Sequence, residues 1–405
     1  MRILITGSSG FLGKNLFLTL RNIKEGKDRS YDIKIEEILT LRHDAKDIEI
    51  EKSISGADVI FYLAGVNRPK NNSCFTEGNV RFLEKVLNVL KSFGKACPIV
   101  FSSSTQALLQ GRYANSEYGK SKLKAEELLF EYASKFKAEV YIYRLPNIFG
   151  KWCRPNYNSV VATFCFNLAN DLPIFVEDRN TELELVYVDN VVREMINVVS
   201  GKEKHCCEYK NGNLVPNEKG NFYFVPNSHK VTLGIIADTI SYFSKHLDAI
   251  ELPGYSNSTF EQQLRSTFQS YLPSSKMICP LLVHQDQRGS FIELFRTTGC
   301  GQFSVNVSKP RQVKGQHWHH SKWEFFIVIH GHGLVEQRKI GTDDNGRLFP
   351  VLRFELFGEK PKIVRMLPGY THNLINLSDT EDLITLIWAN ETFDDRKPDT
   401  YHENV

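Results

Sequence analysis

The sequence predicts a two-domain protein: an α/β domain built on a doubly wound parallel sheet, followed by a smaller all-β domain. Three observations carry that expectation. Short, continuously apolar runs alternate with helical patterns from Arg2-Ile-Leu-Ile-Thr6 onward, as buried parallel strands with crossover helices do. Glycine-rich turns stand where strand gives way to helix. From about Lys276 the pattern changes to short β-rich runs separated by turn residues.

Length and composition agree. A chain of 405 residues exceeds one ordinary domain, and the change of pattern divides it into 1–273 and 274–405, with Leu272-Pro-Ser-Ser275 as the linker. A net charge of +3 is too small to argue for nucleic acid or an anionic membrane as partner, and no apolar run is long enough to span a bilayer. The eight cysteines are scattered with no Cys-x-x-Cys spacing, which fits a reducing compartment. Met1–Gly10 has no basic leader and reads as a first strand. A soluble, cytoplasmic protein is expected.

The first strand runs into Gly7-Ser-Ser-Gly10-Phe11-Leu12-Gly13, and Leu16, Leu18 and Leu20 continue a helical pattern. Such a turn lets backbone N–H groups approach a pyrophosphate at a helix N-terminus, a Rossmann-like dinucleotide site. The second strand, Glu37-Ile-Leu-Thr40, ends near Arg42; an arginine there suits the extra phosphate of NADPH, although Asp44 follows closely. Ala57–Leu63 is a further buried strand opening into Ala64 and Gly65, small residues that allow close approach to a cofactor. The strand Ile99–Phe101 delivers Ser102-Ser-Ser-Thr105 to the crevice at the carboxyl end of the sheet. Tyr118 and Lys122 then share one helix face, where a cation near the phenol favours phenolate. Residues 201–220 show no periodicity and read as a surface insertion. Helices are expected over 232–247 and 259–271.

These motifs, together with Arg144-Leu-Pro-Asn147-Ile-Phe-Gly150, occur in the order seen in extended short-chain dehydrogenases/reductases, and residues 1–273 resemble that family. The resemblance implies action on nucleotide sugars. It makes Tyr118 the acid/base, Lys122 the holder of the nicotinamide ribose, and Ser104 the hydrogen-bonding hydroxyl, with Ser103 the less favoured candidate. Asn79 and Asn147 would line the substrate crevice. The interval from Ser104 to Tyr118 is shorter than usual in the family, which bears on loop geometry rather than on chemistry.

In the β-rich part, His317-Trp-His319 is followed by Glu324 and, much further on, by His372 within Pro368-Gly-Tyr-Thr-His372. Two residues apart on a strand face one side, so His317 and His319 are expected to project together into a barrel, joined by Glu324 and His372. Three imidazoles and a carboxylate suit zinc, iron, manganese or nickel, with zinc the first choice. The two segments resemble the paired motifs of the cupin superfamily, which implies a jelly-roll-like barrel.

The whole chain is similar to a family of bifunctional enzymes of bacterial capsular polysaccharide synthesis, notably in Leu63–Pro69, Phe149–Cys153, Val305–Pro310 and Pro398–Tyr401. That resemblance implies a UDP-linked 2-acetamido-2,6-dideoxy-4-hexulose as substrate, on the route to UDP-N-acetyl-L-fucosamine. The cupin would invert C3, and the reductase would reduce the C4 ketone with NADPH to the L-talose-configured sugar. Tyr370, His320 and metal-bound water are the candidates for the C3 base, and a homodimer is expected because reductase domains of this kind pair through helices. Two other readings compete: a cofactor-retaining epimerase or dehydratase with a structural cupin, and a non-enzymatic NADP(H) sensor.

Overall fold

The structure, a computed structural model, describes all residues except 68–72, 203, 248–250, 253–257, 298, 300 and 395, together with the side chains of 73–74 and 251–252. Arg68 and Pro69 of the matched Leu63–Pro69 stretch lie outside the described residues. The chain forms two compact units, one of Met1–Ser244 with Thr259–Pro273 and one of Lys245–Ser258 with Ser274–Val405. Residues 245–258 group with the second unit because Glu251–Leu252 pairs with Arg296–Thr297 there; the chain thus crosses between units before the linker at 272–275.

In the first unit, β1 (Arg2–Thr6), β2 (Glu37–Leu41), β3 (Val59–Tyr62), β4 (Ile99–Ser104) and β5 (Val140–Leu145) lie parallel in the order β2-β1-β3-β4-β5. Alternate residues of each strand enter opposite cores. Ile60 and Tyr62 pack with the helices Asp47–Gly56, Phe82–Ser92 and Glu117–Phe136. Val59 and Phe61 pack with Phe11–Lys24 and Val188–Val199. Both faces of the sheet are covered, which is why its strands read as unbroken apolar runs. The strand order reverses between β1 and β3, and this switch point is where such sheets open a ligand crevice.

Residues 201–220 are not a structureless insertion. Cys206–Lys210 and Asn213–Pro216 form a hairpin, which Phe222–Tyr223 joins to β5. The turn is Asn211-Gly212, both at positive φ (49° and 80°), the geometry of a two-residue hairpin turn for which Asn-Gly is the favoured sequence. The strands are short and half-exposed, so no period-2 alternation announced them.

A buried ion pair ties this sheet to the helix Glu117–Phe136. Glu126 accepts from Arg144 Nη2 at 2.6 Å and from Nε at 3.0 Å, and from Ser103 Oγ at 2.5 Å. The Arg144 guanidinium lies over the rings of Phe222 and Tyr209 at 4.0 and 4.9 Å. Strand β4, strand β5, the helix and the hairpin therefore converge on one carboxylate.

The second unit is two antiparallel sheets facing each other, the jelly-roll-like barrel expected. One contains Gly289–Thr297, Gly301–Ser308, Leu383–Ala389, Glu324–His330 and Ile363–Met366 as successive neighbours. The other runs Leu352–Phe357, His332–Lys339, Tyr370–Asn376, Val313–Trp318 and Tyr401–His402. Phe326 and Val328 from the first sheet meet Val335 and Leu374 from the second to form its core.

Removing one partner of the buried pair leaves the other charge uncompensated. Arg144→Leu is expected to destabilise the first unit by about 3–5 kcal/mol, and the double variant Arg144→Leu/Glu126→Leu to recover most of that loss. Chemical unfolding of the four members of this double-mutant cycle checks it; additive losses would contradict the coupling.

Candidate active site and metal centre

The first site forms where β1 and β3 end. Gly7 has φ +72°, and a Cβ on it would stand 2.8 Å from the backbone of Ala64. A Cβ on Gly13 would fall 2.0 Å from the Gly7 carbonyl oxygen. Thr6 Oγ1 accepts from the N–H groups of Leu63 and Ala64 at 3.2 and 3.1 Å. The helix beginning at Phe11 has Gly10 as its N-cap, with no side chain on its first N–H groups and no acidic residue in its first turn. That leaves donors and a positive helix end for a diphosphate. These turns line a cavity of about 510 Å3, which also includes Phe11, Leu12, Leu63 and Gly65.

Ser104, Tyr118, Lys122 and Asn147 line the same cavity. Lys122 is buried and donates to the Ser102 carbonyl at 2.9 Å. A Cβ on Gly65 would be only 3.2 Å from its Nζ. Loss of hydration pushes the Lys122 ammonium down to about 8, with the Glu126 carboxylate opposing the shift. The phenol of Tyr118 moves the other way: burial raises it above the ordinary tyrosine value. In the free protein burial outweighs the expected pull of Lys122, whose nitrogen lies 5.8 Å from the ring centre. The two serines separate cleanly. Ser103 Oγ donates its hydrogen bond to Glu126, whereas Ser104 Oγ accepts from the Gln106 N–H at 3.2 Å and keeps its own O–H free to donate.

Two expected residues are placed elsewhere. Asn79 is buried and does not line the cavity; its amide binds the backbone of Val66 at 2.7 and 3.1 Å and Ser121 Oγ at 2.9 Å. It braces the turn after β3 from within the π-helical turn Glu77–Arg81. Arg42 is exposed and held by both oxygens of Asp44 at 3.0 and 3.1 Å. The loop after Gly150 does reach the cavity, through Trp152, Arg154 and Tyr157. Lys14 and Lys151 lie over the Trp152 ring at 4.7 and 5.3 Å, and Asp189 holds Lys151 at 2.5 Å. Glu126 was missed on sequence, although Tyr118, Lys122 and Glu126 follow at four-residue intervals on one helix face.

In the second unit, ligand atoms of His317, His319, Glu324 and His372 all lie within 4.8 Å of one another. The Glu324 carboxylate is 3.3 Å from His372 Nε2 and 3.5 Å from His319 Nε2. His319 has left the strand: Val313–Trp318 ends one residue earlier, and a bulge at Gln316 (φ 59°) breaks the simple alternation. The rings of His317 and His319 still converge, 5.0 Å apart, because the bulge re-aims the chain. Among the described residues, His319 Nε2, Glu324 Oε2 and both ring nitrogens of His372 are buried without a hydrogen-bond partner. Buried polar atoms are rarely left so. A divalent cation would satisfy them, and this donor set fits one.

The ligand loop is anchored from far along the chain. His319 Nδ1 donates to the Asp399 carbonyl at 2.5 Å, presenting Nε2 to the cluster. The Asp399 carboxylate accepts from the N–H groups of His320, Ser321 and Lys322 at 2.8, 3.0 and 2.9 Å, which hold it well below the usual carboxylate range. No local sequence signal marks Asp399 as a partner of residue 319. Three of the four clustered residues, His317, His319 and Glu324, line a cavity of about 780 Å3, and His372 is buried behind them. Neither Tyr370 nor His320 lines it; His320 is exposed and packs on Trp318 and Tyr401.

Residues 3–205 match the NAD dependent epimerase/dehydratase family, and residues 284–401 match the polysaccharide biosynthesis C-terminal domain. The UDP-2-acetamido-2,6-beta-L-arabino-hexul-4-ose reductase of Pseudomonas aeruginosa is 35% identical over 99% of this chain and 98% of its own. The crystal structure of the capsular polysaccharide assembling protein CapF from Staphylococcus aureus superposes with a TM-score of 0.83 at 42% identity, over 100% of both chains. A UDP-glucose 4-epimerase from Thermotoga maritima, solved with UDP-glucose, shares the fold of the first unit alone, with a TM-score of 0.51 at 18% identity over 67% of this chain and 98% of its own. Among the described residues, no helix is long and apolar enough to cross a membrane. With a dinucleotide-type crevice at one sheet switch point and a four-residue candidate metal site in a β-barrel, the chain belongs to the NAD dependent epimerase/dehydratase family, in the two-domain form that carries the polysaccharide biosynthesis C-terminal domain.

Proposed function

We propose that the chain is a bifunctional, cytoplasmic nucleotide-sugar enzyme acting on UDP-2-acetamido-2,6-dideoxy-L-arabino-4-hexulose. In this reading residues 274–405 invert C3, and residues 1–273 reduce the C4 ketone to UDP-2-acetamido-2,6-dideoxy-L-talose. The observation that carries it is the presence, in one chain, of a Ser104/Tyr118/Lys122 crevice and a His317/His319/Glu324/His372 cluster on a second cavity. The Pseudomonas aeruginosa relative, a UDP-2-acetamido-2,6-beta-L-arabino-hexul-4-ose reductase, supports the sugar.

At the first site, NADPH would supply hydride to C4; Arg42, once released from Asp44, is the residue that would favour its extra phosphate. The phenol of Tyr118 gives its proton to the C4 oxygen as charge develops there, and the Ser104 hydroxyl donates a hydrogen bond to the same oxygen. Lys122 steadies the phenolate left behind. At the second site, zinc held by the four clustered residues would supply Lewis-acid charge beside a ketone oxygen. The outer hydrogen bond from His319 to Asp399 fixes which ring nitrogen faces the ion. A homodimer is part of the proposal.

Deuterium incorporation at C3 without NADPH, and NADPH oxidation once it is added, test the two steps separately. Tyr118→Phe is expected to lower NADPH consumption by about 10²–10⁴-fold while leaving C3 exchange intact; loss of both would contradict two separate sites. His372→Ala should lose bound metal, measured by elemental analysis, together with C3 exchange, and retain NADPH binding. The alkaline limb is set by Lys122. It is cationic below about 8 and neutral above, whereas Tyr118 stays protonated. The kcat/KM for reduction therefore falls as pH rises through about 8, and a profile flat well beyond that value would remove Lys122 from this role.

A further inference from the structure

A β-bulge decides which side chains of Gly289–Thr297 face the second cavity. The cavity side of the neighbouring strand carries Gln302, Ser304 and Asn306, and their partners in register are Arg296, Glu293 and Phe291. Strict alternation would follow Glu293 with Phe295 on the inner face. The register shifts between Glu293 and Phe295 instead, so Phe295 turns outward and Arg296 turns in. Outside, Phe295 stacks on Phe303 at 4.8 Å and continues an aromatic ladder through Trp388 and Phe325. Inside, Arg296 and Glu293 stand on the cavity wall beside the buried polar side chains of Ser304 and Asn306. One extra residue in the strand has put a guanidinium where alternation would put a phenyl ring.

We infer that Arg296 holds the diphosphate of the nucleotide sugar when that sugar occupies the second cavity. The inference rests on the reading of residues 274–405 as acting on a UDP-linked ketosugar, and names the group that grips its nucleotide end. Placement is the first argument. Arg296, Gln302, Ala389 and Glu324 form one row across four strands, which sets Arg296 about 14 Å of sheet away from Glu324. Their side chains point inward from the two ends of a curved row, which shortens that span. In the sugar, C4 and the anomeric carbon C1 lie opposite each other across the pyranose ring. With the C4 ketone at the cluster, the diphosphate on C1 points away from Glu324 and along this row, past the small side chain of Ala389.

Availability is the second argument. Other long cations on this wall are committed: Arg288 to Asp286 at 3.0 and 2.7 Å, Lys314 to Asn306 Oδ1 and the Val307 carbonyl at 2.8 and 2.9 Å, and Lys322 to the Pro398 carbonyl at 2.9 Å. The Arg296 guanidinium has no hydrogen bond among the described residues. Its ion-pair partner, Glu293 Oε1, stands at 3.8 Å, outside hydrogen-bond reach, and that oxygen is itself buried without a hydrogen-bond partner. Glu293 therefore keeps the guanidinium at the wall by charge while leaving its donors open. The planar fork of an arginine gives two parallel N–H bonds to phosphate oxygens.

Deuterium exchange at C3 of the UDP-ketosugar, followed on the full zinc-loaded chain with NADPH omitted, tests this. Arg296→Gln is expected to raise the KM for exchange about 10–100-fold and to change kcat far less. UDP alone should inhibit exchange by the unaltered protein, and roughly tenfold more weakly in the variant. Should that variant lose its metal, Arg296→Lys supplies the second measurement; it keeps the charge but not the fork, and its KM should rise in the same direction by less. A metal-loaded variant with unchanged KM and unchanged inhibition by UDP would overturn the inference and leave the C3 reading standing. Absence of exchange by the unaltered protein would overturn that reading, and equilibrium dialysis with UDP then decides the inference. One more UDP bound per unaltered chain than per Arg296→Gln chain supports it; equal numbers overturn it.

Discussion

The first unit depends on how closely two turns approach at the carboxyl ends of neighbouring strands. Gly7 leaves no room for a side chain against Ala64, and the Thr6 hydroxyl binds the N–H groups of Leu63 and Ala64. With the turns fastened at their base, the switch point can open above them into a nucleotide-sized crevice. Asn79 holds the second turn from behind, and Gly65 brings Lys122 up against it. The crevice floor and the reactive helix are thereby one packed assembly. The Glu126–Arg144 pair locks that helix to the sheet on the far side of Ser103, so the hydroxyl spared for substrate is the one next to it.

The second unit solves a different problem. A barrel whose interior receives a polar ligand must turn hydrogen-bonding side chains inward, and strand alternation then forces apolar ones outward. The polar lining and the aromatic ladder are two faces of one sequence pattern. The metal cluster sits where the polar interior meets the apolar core of Phe326 and Leu374.

Much of this was legible in the sequence because the signals were local. The glycine loop, the apolar strands and the Tyr118/Lys122 spacing each lie within a few residues, and the two histidine segments mark their own strands. What escaped was either local but unweighed or non-local. Asn211-Gly212 is a strong turn signal, yet its flanking strands are too short and half-exposed to show periodicity. The pairing of the Asn79 amide with the Val66 backbone and Ser121 is set by the turn after β3, which a motif at residue 79 does not reveal. The expected lowering of the Tyr118 phenol considered Lys122 and not the burial that surrounds both. Asp399 is invisible from the histidine motif because only the folded barrel brings it there.

That last contact has a consequence in time. His319 and Asp399 are 80 residues apart, and chains emerge at about 5–20 residues per second. The histidine loop is therefore made several seconds before the aspartate that orients it, and it waits without its anchor. The ring that presents a nitrogen to the ion is set only when residues 398–400 fold back across it. His372, the last of the four clustered residues, and the anchor at Asp399 both lie beyond that loop in the chain, so the candidate cluster and its outer hydrogen bond are assembled only once the last strands of the barrel have been made.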